Sequence, residues 1–232
     1  MTSSPAPAIR HALIMAAGRG QRMMPLTQII PKPMAPFQDS TLIAQGIQRL
    51  RSCIPAIHVT VGYKGAMLAS HLIEHGVSTI VNTDGQGNSW WVYNSLLSMI
   101  DAPVAVLTAD NVTELNFSRL SDDYRLLGSP ACMVVPVVPV PGLAGDYIES
   151  DSEGNVLSLS RDRPQPTYCS GIQIVNPAKI NRLTRPADNF TELWEQLMPQ
   201  RQMKVSSVYP DRWFSVDTIE DLERLNMPAA QV

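Results

Sequence analysis

The chain has 232 residues, 44% of them hydrophobic and 17% charged, and a formal net charge of -3. These values fit one globular domain over residues 1–232 and argue against a nucleic-acid partner, which would require a basic surface. The three cysteines are odd in number and far apart, so neither a disulfide framework nor a zinc site is expected. The apolar run after Ile9 is too short for a signal peptide or a membrane span, so we expect a cytoplasmic protein.

The predicted elements alternate between strands and helices as far as residue 110. A flexible leader at residues 1–8 precedes the short apolar run "HALIMAA", which predicts a buried strand. Helical spacing follows at 41–52, 65–75 and 91–100, and strand-like runs at 56–62, 77–82 and 103–110. This alternation predicts an α/β fold with a doubly wound, mostly parallel sheet. Ligands of such sheets bind beyond the carboxyl ends of the strands.

The regular alternation of strands and helices ends after Pro141, and a small β-rich subregion is expected at about residues 141–210. The prolines in "ACMVVPVVPV" (131–140) place the preceding strand near a sheet edge. A hairpin with its turn at residues 152–155 follows, and then a strand in "CSGIQIVNP". The segment "NFTELWEQLMPQ" predicts a helix, and "MKVSSVY" predicts a last strand.

The segment "AAGRG" at the end of the first strand has the composition of a phosphate-binding loop. Gly18 and Gly20 allow a ligand to approach the backbone N–H groups, and Arg22 and Lys32 add positive charge for anionic oxygens. The dinucleotide-binding fingerprint does not fit, because Met23 stands where its third glycine would be. The alternative is a tight strand-to-helix turn with solvated arginines.

Two aspartates could provide a cation site near this loop. Asp110 lies at a predicted strand end in "LTADN", and Asp217 precedes a predicted helix that Thr218 would cap. Two carboxylates that converge can bind a hard cation whose remaining ligands are phosphate oxygens. Alternatively, each aspartate only caps a turn or a helix.

The stretch "MAAGRGQRMMPLTQIIPKPM" resembles the signature of the nucleotidyltransferases that make nucleotide sugars and CDP-alcohols, with Met15 in place of the usual leucine. The blocks "LTADN", "CSGIQIVNP" and "WFSVDTIEDL" match later blocks of that family in the same order, so the resemblance covers nearly the whole chain. It implies the Rossmann-like nucleotidyltransferase fold, with the acceptor bound on the side of residues 141–210.

The resemblance also assigns roles by matching position. The residues expected at the nucleotide are Ala16, Ala17, Gly18, Arg19 and Gly20, the first two through their backbone. Arg22 would contact the β- and γ-phosphates, and Lys32 would bind the phosphate of the acceptor; both are expected to be catalytic. Asp110 and Asp217 would hold Mg²⁺.

The middle of the chain favours one branch of the family. The segment "YNSLLSM" and the sequence "ADN" resemble the phosphocholine cytidylyltransferase branch more than the sugar branch. This implies CTP as the donor, with Asn88, Asn94 and Ser95 near the nucleotide.

The acceptor is expected to be a small phosphorylated molecule. If it carries a cationic amine, aromatic rings could hold it by cation–π contact, and Trp194 and Tyr147 are the candidates. Core packing is the alternative role for the tryptophan. An amino-alcohol phosphate such as phosphocholine, a phosphonate and a sugar phosphate all remain possible acceptors.

The expected reaction is Mg²⁺-dependent transfer of a nucleotidyl group to the acceptor phosphate, with release of pyrophosphate. One alternative is a sugar-1-phosphate nucleotidyltransferase that uses UTP, dTTP or GTP. An alternative of another class is a regulatory module that binds nucleotide without turnover. The sequence leaves the oligomeric state open.

Overall fold

The computed structural model describes residues 9–140 and 145–227, so the leader expected at residues 1–8 lies outside the described residues. In the described part the strands are β1 (His11–Ala16), β2 (Pro36–Phe37), β3 (Ser40–Thr41), β4 (Ala56–Val61), β5 (Thr79–Asn82), β6 (Val104–Thr108), β7 (Asn111–Glu114), β8 (Cys132–Val137), β9 (Tyr147–Ser150), β10 (Val156–Ser160), β11 (Tyr168–Val175), β12 (Met203–Val205) and β13 (Arg212–Ser215). The α-helices are α1 (Leu26–Ile29), α2 (Leu42–Arg51), α3 (Gly65–Glu74), α4 (Trp90–Asn94), α5 (Phe117–Leu126), α6 (Pro177–Leu183), α7 (Phe190–Leu197) and α8 (Ile219–Asn226). None of these helices combines the length and the apolar character that a membrane crossing requires.

The central sheet confirms the predicted fold class. Strands β5, β4, β1 and β6 are neighbours in that order and run parallel. Strand β11 then joins β6 in the antiparallel direction, and β8 and β12 continue the sheet. The hairpin of β9 and β10, whose turn was expected at residues 152–155, joins the beginning of β11.

Strand β1 is apolar from Ala12 to Ala16 because both of its faces are covered by helices. Ile14 belongs to a hydrophobic cluster on one face that includes residues of α2, α3 and α5. Leu13, its neighbour, belongs to a cluster on the other face that includes residues of α4, α6 and α7. Successive residues of a strand point to opposite faces, so a strand buried on both sides reads as a continuous apolar run.

Two sequence expectations are refined by the structure. Strand β12 pairs with β8 only at Cys132–Val134. At Pro136, β8 pairs with β11 on one side and with no described strand on the other, so this proline lies at an open edge of the sheet. The helix expected at 91–100 is interrupted after Asn94, where Ser95 is extended and a 3₁₀ turn begins at Leu96.

A third hydrophobic cluster packs the loop after β1 against the C-terminal part of the fold. Met23, which is fully buried, packs with Val112 of β7, with Val216 just after β13 and with Leu222 of α8. The loop after β1 and the C-terminal segment are therefore fixed to the same part of the fold.

Candidate active site

The loop after β1 begins at the carboxyl edge of the sheet, and its two glycines have different environments. Gly20 adopts φ +60°, and a Cβ placed there would lie 2.8 Å from Cβ of Lys32. Its carbonyl accepts a hydrogen bond from the hydroxyl of Thr27 at 3.1 Å. A Cβ on Gly18 would have nothing within 4 Å. Gly20 therefore lets the loop pack on Lys32, and Gly18 leaves the backbone open to a ligand.

The pairing of two short strands brings Asp110 and Asp217 together. Strands β7 and β13 form an antiparallel ribbon in which Asn111 is opposite Ser215. The next residues continue this pairing, because the N–H of Val216 donates to the carbonyl of Asp110 at 2.9 Å. Two aspartates that are remote in sequence thus end at one point beside the loop that follows β1.

Lys32 lies between these carboxylates. Its Nζ donates to Oδ2 of Asp110 at 2.7 Å and to Oδ1 of Asp217 at 3.3 Å. The side chain of Lys32 is 12% exposed, and that of Asp217 is 14% exposed. At this burial an ammonium requires partners, and the two carboxylates provide them.

Arg22 approaches the same carboxylate from the solvent side. Its Nη2 lies 2.8 Å from Oδ1 of Asp217, but 70% of its side chain is exposed. The guanidinium is largely solvated and Asp217 keeps Lys32 as a partner, so Arg22 is free to leave Asp217 for an anionic ligand.

The two aspartates fit the role of Mg²⁺ ligands. Their oxygens contact one common ammonium, so they face one point at which a cation is stable. The described residues include no group of three or more His, Cys, Asp or Glu side chains placed to hold a metal. Two carboxylates would leave the remaining ligand positions to phosphate oxygens and water, an arrangement that Mg²⁺ favours.

These residues line a cavity of about 820 Å³, a volume that can hold a nucleotide and a small second substrate. Of the residues expected at the site, the cavity is lined by Ala16, Ala17, Gly18, Arg19, Gly20, Arg22, Lys32, Asn88, Asp110 and Asp217. The structure therefore brings the residues of the opening motif, both aspartates and Asn88 to a single site.

The end of β4 contributes residues that the motif did not indicate. The hydroxyl of Thr60 accepts a hydrogen bond from the N–H of Ala16 at 3.2 Å, and Tyr63 donates to the carbonyl of Thr27 at 3.0 Å. The guanidinium of Arg19 lies 5.8 Å from the centre of the Tyr63 ring. Both Thr60 and Tyr63 line the cavity. Both residues lie near the carboxyl end of the strand-like run at 56–62, the end at which ligands of such sheets bind, so the sequence could have indicated them.

A second loop, residues 83–89, forms the opposite wall and is held by the segment before α7. The N–H of Gly87 donates to Oδ1 of Asp188 at 3.0 Å, and the hydroxyl of Ser89 donates to the carbonyl of Ala187 at 2.7 Å. In return, Oδ1 of Asn88 accepts from the N–H of Phe190 at 2.8 Å. This reciprocal bonding makes the loop a preformed wall.

Asn94 and Ser95, also expected near the nucleotide, do not line this cavity. Asn94 donates to the carbonyl of Trp90 at 3.0 Å, and Ser95 donates to the carbonyl of Trp91 at 2.6 Å. The hydroxyl of Ser95 also accepts from the N–H of Leu97. Both side chains close the end of α4, because polar residues there satisfy the backbone groups that the helix leaves unpaired.

The two aromatic residues expected at the acceptor lie elsewhere too. Trp194 donates its indole N–H to Oε1 of Gln173 at 3.0 Å and stacks on Phe190, with ring centroids 5.8 Å apart. Tyr147 packs edge-on against Tyr168 at 5.4 Å. Neither lines the cavity. Trp194 is instead part of the packing beneath the sheet, the alternative role that its sequence position allowed.

Phosphate-bearing ligands suit this edge of the sheet, because open backbone, two cations and an acidic pair face one cavity. The fold and the site together define an α/β protein of the nucleotide-binding class. The chain belongs to the nucleotidyl transferase family, whose model matches residues 11–232. This confirms the family that the opening motif indicated.

Known proteins of both branches, sugar-phosphate nucleotidyltransferases and a phosphocholine cytidylyltransferase, resemble the chain. The mannose-1-phosphate guanyltransferase of Candida albicans is 25% identical over 205 residues, which cover 82% of this chain and 57% of that protein. The chain thus spans little more than half the length of the curated relatives it matches. The CTP:phosphocholine cytidylyltransferase of Streptococcus pneumoniae has a similar structure, with a TM-score of 0.73, 18% identity and coverage of 93% and 97% of the two chains. A UDP-glucose pyrophosphorylase complexed with UDP-glucose gives a TM-score of 0.70 at 16% identity, covering 94% and 97%. At such identities the structural likeness shows the fold alone.

Proposed function

We propose that the protein transfers a nucleotidyl group from a nucleoside triphosphate to the phosphate of a sugar 1-phosphate and releases pyrophosphate. The observation that carries this proposal is Lys32, which lies 2.7 Å from Asp110 and 3.3 Å from Asp217 beside the glycine loop. One cation and two carboxylates are thereby placed where a triphosphate and a second phosphate can meet. Several curated relatives are named mannose-1-phosphate guanyltransferases, and this name supports a sugar phosphate as acceptor.

The chemistry requires no covalent enzyme intermediate. An oxygen of the acceptor phosphate attacks the α-phosphorus and forms a new P–O bond. The bond from that phosphorus to the oxygen that bridges to the β-phosphate breaks, and pyrophosphate leaves with the electron pair. Arg22 and the loop backbone would bind the triphosphate, while Lys32 would orient the attacking phosphate and neutralise its charge. Asp110 and Asp217 would hold Mg²⁺, which supplies further charge neutralisation when bound.

The second candidate is transfer of CMP from CTP to an amino-alcohol phosphate. The segment "YNSLLSM" favours it, and the fold likeness to the pneumococcal enzyme is compatible with it. The physical support is weaker, because Trp194 and Tyr147, the residues expected to hold a cationic amine, do not line the cavity. The aromatic residues that do line it are Tyr63 and Trp91. The Tyr63 ring is already in contact with the cationic groups of Arg19 and Lys64. The cation–π cage expected around Trp194 therefore has no counterpart in this cavity.

Pyrophosphate release from a matrix of substrates tests both candidates. The donors are GTP, UTP, dTTP and CTP, and the acceptors are mannose 1-phosphate, glucose 1-phosphate and phosphocholine. The proposal expects turnover with a hexose 1-phosphate. Turnover confined to CTP with phosphocholine would establish the second candidate instead. Nucleotide binding without turnover of any pair would indicate the regulatory module.

A further inference from the structure

Strand β11 contains a bulge next to the ribbon that β7 and β13 form. Its pairing with β8 shifts register between Cys169 and Gln173, and its pairing with β6 spans only Gln173–Val175. Within the bulge Gly171 adopts φ +79°, and a Cβ placed there would lie 3.3 Å from Nδ2 of Asn111. The glycine therefore supplies the backbone conformation of the bulge and lets it lie close to the ribbon.

The carbonyl of Ser170, in this bulge, accepts one hydrogen bond from each strand of the ribbon. Nδ2 of Asn111 on β7 donates to it at 2.9 Å, and the indole Nε1 of Trp213 on β13 donates to it at 2.9 Å. A carbonyl oxygen has two lone pairs, so it can hold both donors. In the part of the chain that the structure describes, no other hydrogen bond joins the ribbon to the main sheet.

Ser170 is itself fixed in the sheet. It is 2% exposed, and its hydroxyl donates to the carbonyl of Val135 on β8 at 2.7 Å. The same hydroxyl accepts from the N–H of Ile172 at 3.0 Å. The two donors of the ribbon are therefore bonded to a rigid point of the sheet.

Each strand of the ribbon leads to one of the two aspartates. Asp110 immediately precedes Asn111, the first residue of β7, and Asp217 follows the end of β13 by two residues. The N–H of Val216 donates to the carbonyl of Asp110, which joins the two strands at this end. The position of both carboxylates relative to the sheet therefore depends on where the ribbon is held.

We propose that Asn111 and Trp213 are positioning residues that hold Asp110 and Asp217 in the geometry needed to bind one divalent cation. This inference rests on the metal role that the proposed function gives to the aspartates, and it names the residues that set their placement. Metal ligands must be held within about 0.5 Å of the productive geometry. The ammonium of Lys32, on its flexible stem, tolerates a looser arrangement. Loss of the two donors should therefore affect a bound metal ion more than the ion pairs of Lys32.

The ring of Trp213 has a second role that the test must separate from its N–H. It packs against the hydrophobic cluster that includes residues of α2, α3 and α5. Trp213→Phe keeps an aromatic ring in this packing and removes the donor. Asn111→Leu keeps a side chain of similar size on β7 and removes the other donor. Both variants thus leave most of the packing and take away one hydrogen bond each.

Mn²⁺ is the probe, because carboxylate sites that bind Mg²⁺ also accept it, and the free ion is counted by electron paramagnetic resonance. We expect each single variant to raise the Mn²⁺ dissociation constant about threefold, and Asn111→Leu combined with Trp213→Phe to raise it about tenfold or more. Trp194→Phe is the matched control, since it also removes an indole N–H bonded to β11, at Gln173, but away from the ribbon. It should lower the melting temperature about as much as Trp213→Phe and leave the Mn²⁺ affinity unchanged.

The inference is overturned if the folded double variant binds Mn²⁺ as tightly as the wild type, or if Trp194→Phe weakens binding as much as Trp213→Phe. If the double variant does not fold, the two single variants decide the same question. A wild-type protein that binds no Mn²⁺ would overturn the metal assignment and this inference with it.

Mn²⁺ binding is measured without nucleotide, so this inference and the proposed function can fail separately. Mn²⁺ binding that depends on Asn111 and Trp213, without pyrophosphate release from any substrate pair, would refute the proposed function and leave this inference standing. Turnover by a protein whose Mn²⁺ affinity neither variant alters would do the reverse.

Discussion

The ammonium of Lys32 lies 2.7 Å from Oδ2 of Asp110, the carboxylate that is expected to hold Mg²⁺. If Asp110 holds Mg²⁺, the same carboxylate would serve two cations that are needed at different places. Binding of Mg²⁺ would compete with the ion pair and would free the ammonium to face the acceptor phosphate. The metal and the lysine are therefore expected to be coupled through Asp110.

Lys32→Met should separate these two roles. Without the ammonium, Asp110 and Asp217 repel each other, so the protein without nucleotide should bind Mg²⁺ more tightly than the wild type. Turnover should nevertheless fall about 100-fold or more, because the attacking phosphate loses its positioning cation. Calorimetric Mg²⁺ titration and pyrophosphate release measure the two effects. Weaker Mg²⁺ binding by Lys32→Met would contradict the competition.

Asp110→Asn should have the opposite effect on the metal. It removes one of the two charged ligands, so both Mg²⁺ affinity and turnover should fall strongly, while the chain should still fold because Lys32 keeps Asp217 as a partner. Asp122→Asn, on the exposed surface of α5, removes the same charge far from the cavity and serves as the control. Near-wild-type turnover of Asp110→Asn at saturating Mg²⁺ would show that the metal assignment is wrong.

The two glycines of the loop provide a matched pair of alanine variants. Gly20→Ala places a Cβ 2.8 Å from that of Lys32 at a positive φ, so we expect a loss of about 2 kcal/mol or more in the free energy of unfolding. Gly18→Ala meets nothing within 4 Å and should change stability by less than about 0.5 kcal/mol. It should still weaken nucleotide binding, because its methyl group occupies the approach to the backbone. Urea unfolding and calorimetry separate the two effects, and equal losses of stability would refute the distinction.

The sequence predicted the central sheet and the glycine-containing loop after β1 because their signals are local. The continuous apolar run of β1 and the glycines after it are each visible within a few residues. The convergence of Asp110 and Asp217 was expected only as a hypothesis, because it depends on β7 and β13. These strands are four residues each and pair across about a hundred positions, so neither carries a clear pattern of its own.

The direction of side chains was the part that the sequence could not supply. Asn94 and Ser95 lie within one turn of α4 from the cavity wall but bond to their own helix. Asn88 lines the cavity, yet its carbonyl is used by a segment a hundred residues away. The direction of the Asn88 amide is set by a tertiary partner, which no local pattern records.

Acid should destabilise the protein through a buried histidine. His58 lies on β4 with its Nε2 3.1 Å from Nδ1 of His11, and its own Nδ1 has no described partner. Burial, followed by the proximity of His11, lowers the pKa of His58 to about 4. The unfolded chain takes up this proton at a pKa of about 6.5, so the free energy of unfolding should fall between about pH 6.5 and pH 4. His58 alone accounts for at most about 3 kcal/mol of this fall.

Urea unfolding at several pH values measures this loss. His58→Leu removes the titrating group and should flatten most of the slope. A smaller slope of the same sign should remain, since burial also lowers the pKa of His11. An unchanged slope in His58→Leu would assign the acid sensitivity to other groups.

Trp194 should prove to be a packing residue, in contrast to its expected role at the acceptor. Its indole bonds to Gln173 and its ring stacks on Phe190, so Trp194→Ala should cost about 2–4 kcal/mol in the free energy of unfolding. Trp194→Phe keeps an aromatic ring against Phe190 and loses the bond to Gln173, at a cost of about 1 kcal/mol. Trp194→Phe should leave the KM for the acceptor at the wild-type value, because the side chain does not line the cavity. If this variant kept wild-type stability and yet bound phosphocholine much more weakly, Trp194 would belong to the acceptor site, and the amino-alcohol hypothesis would replace the sugar phosphate.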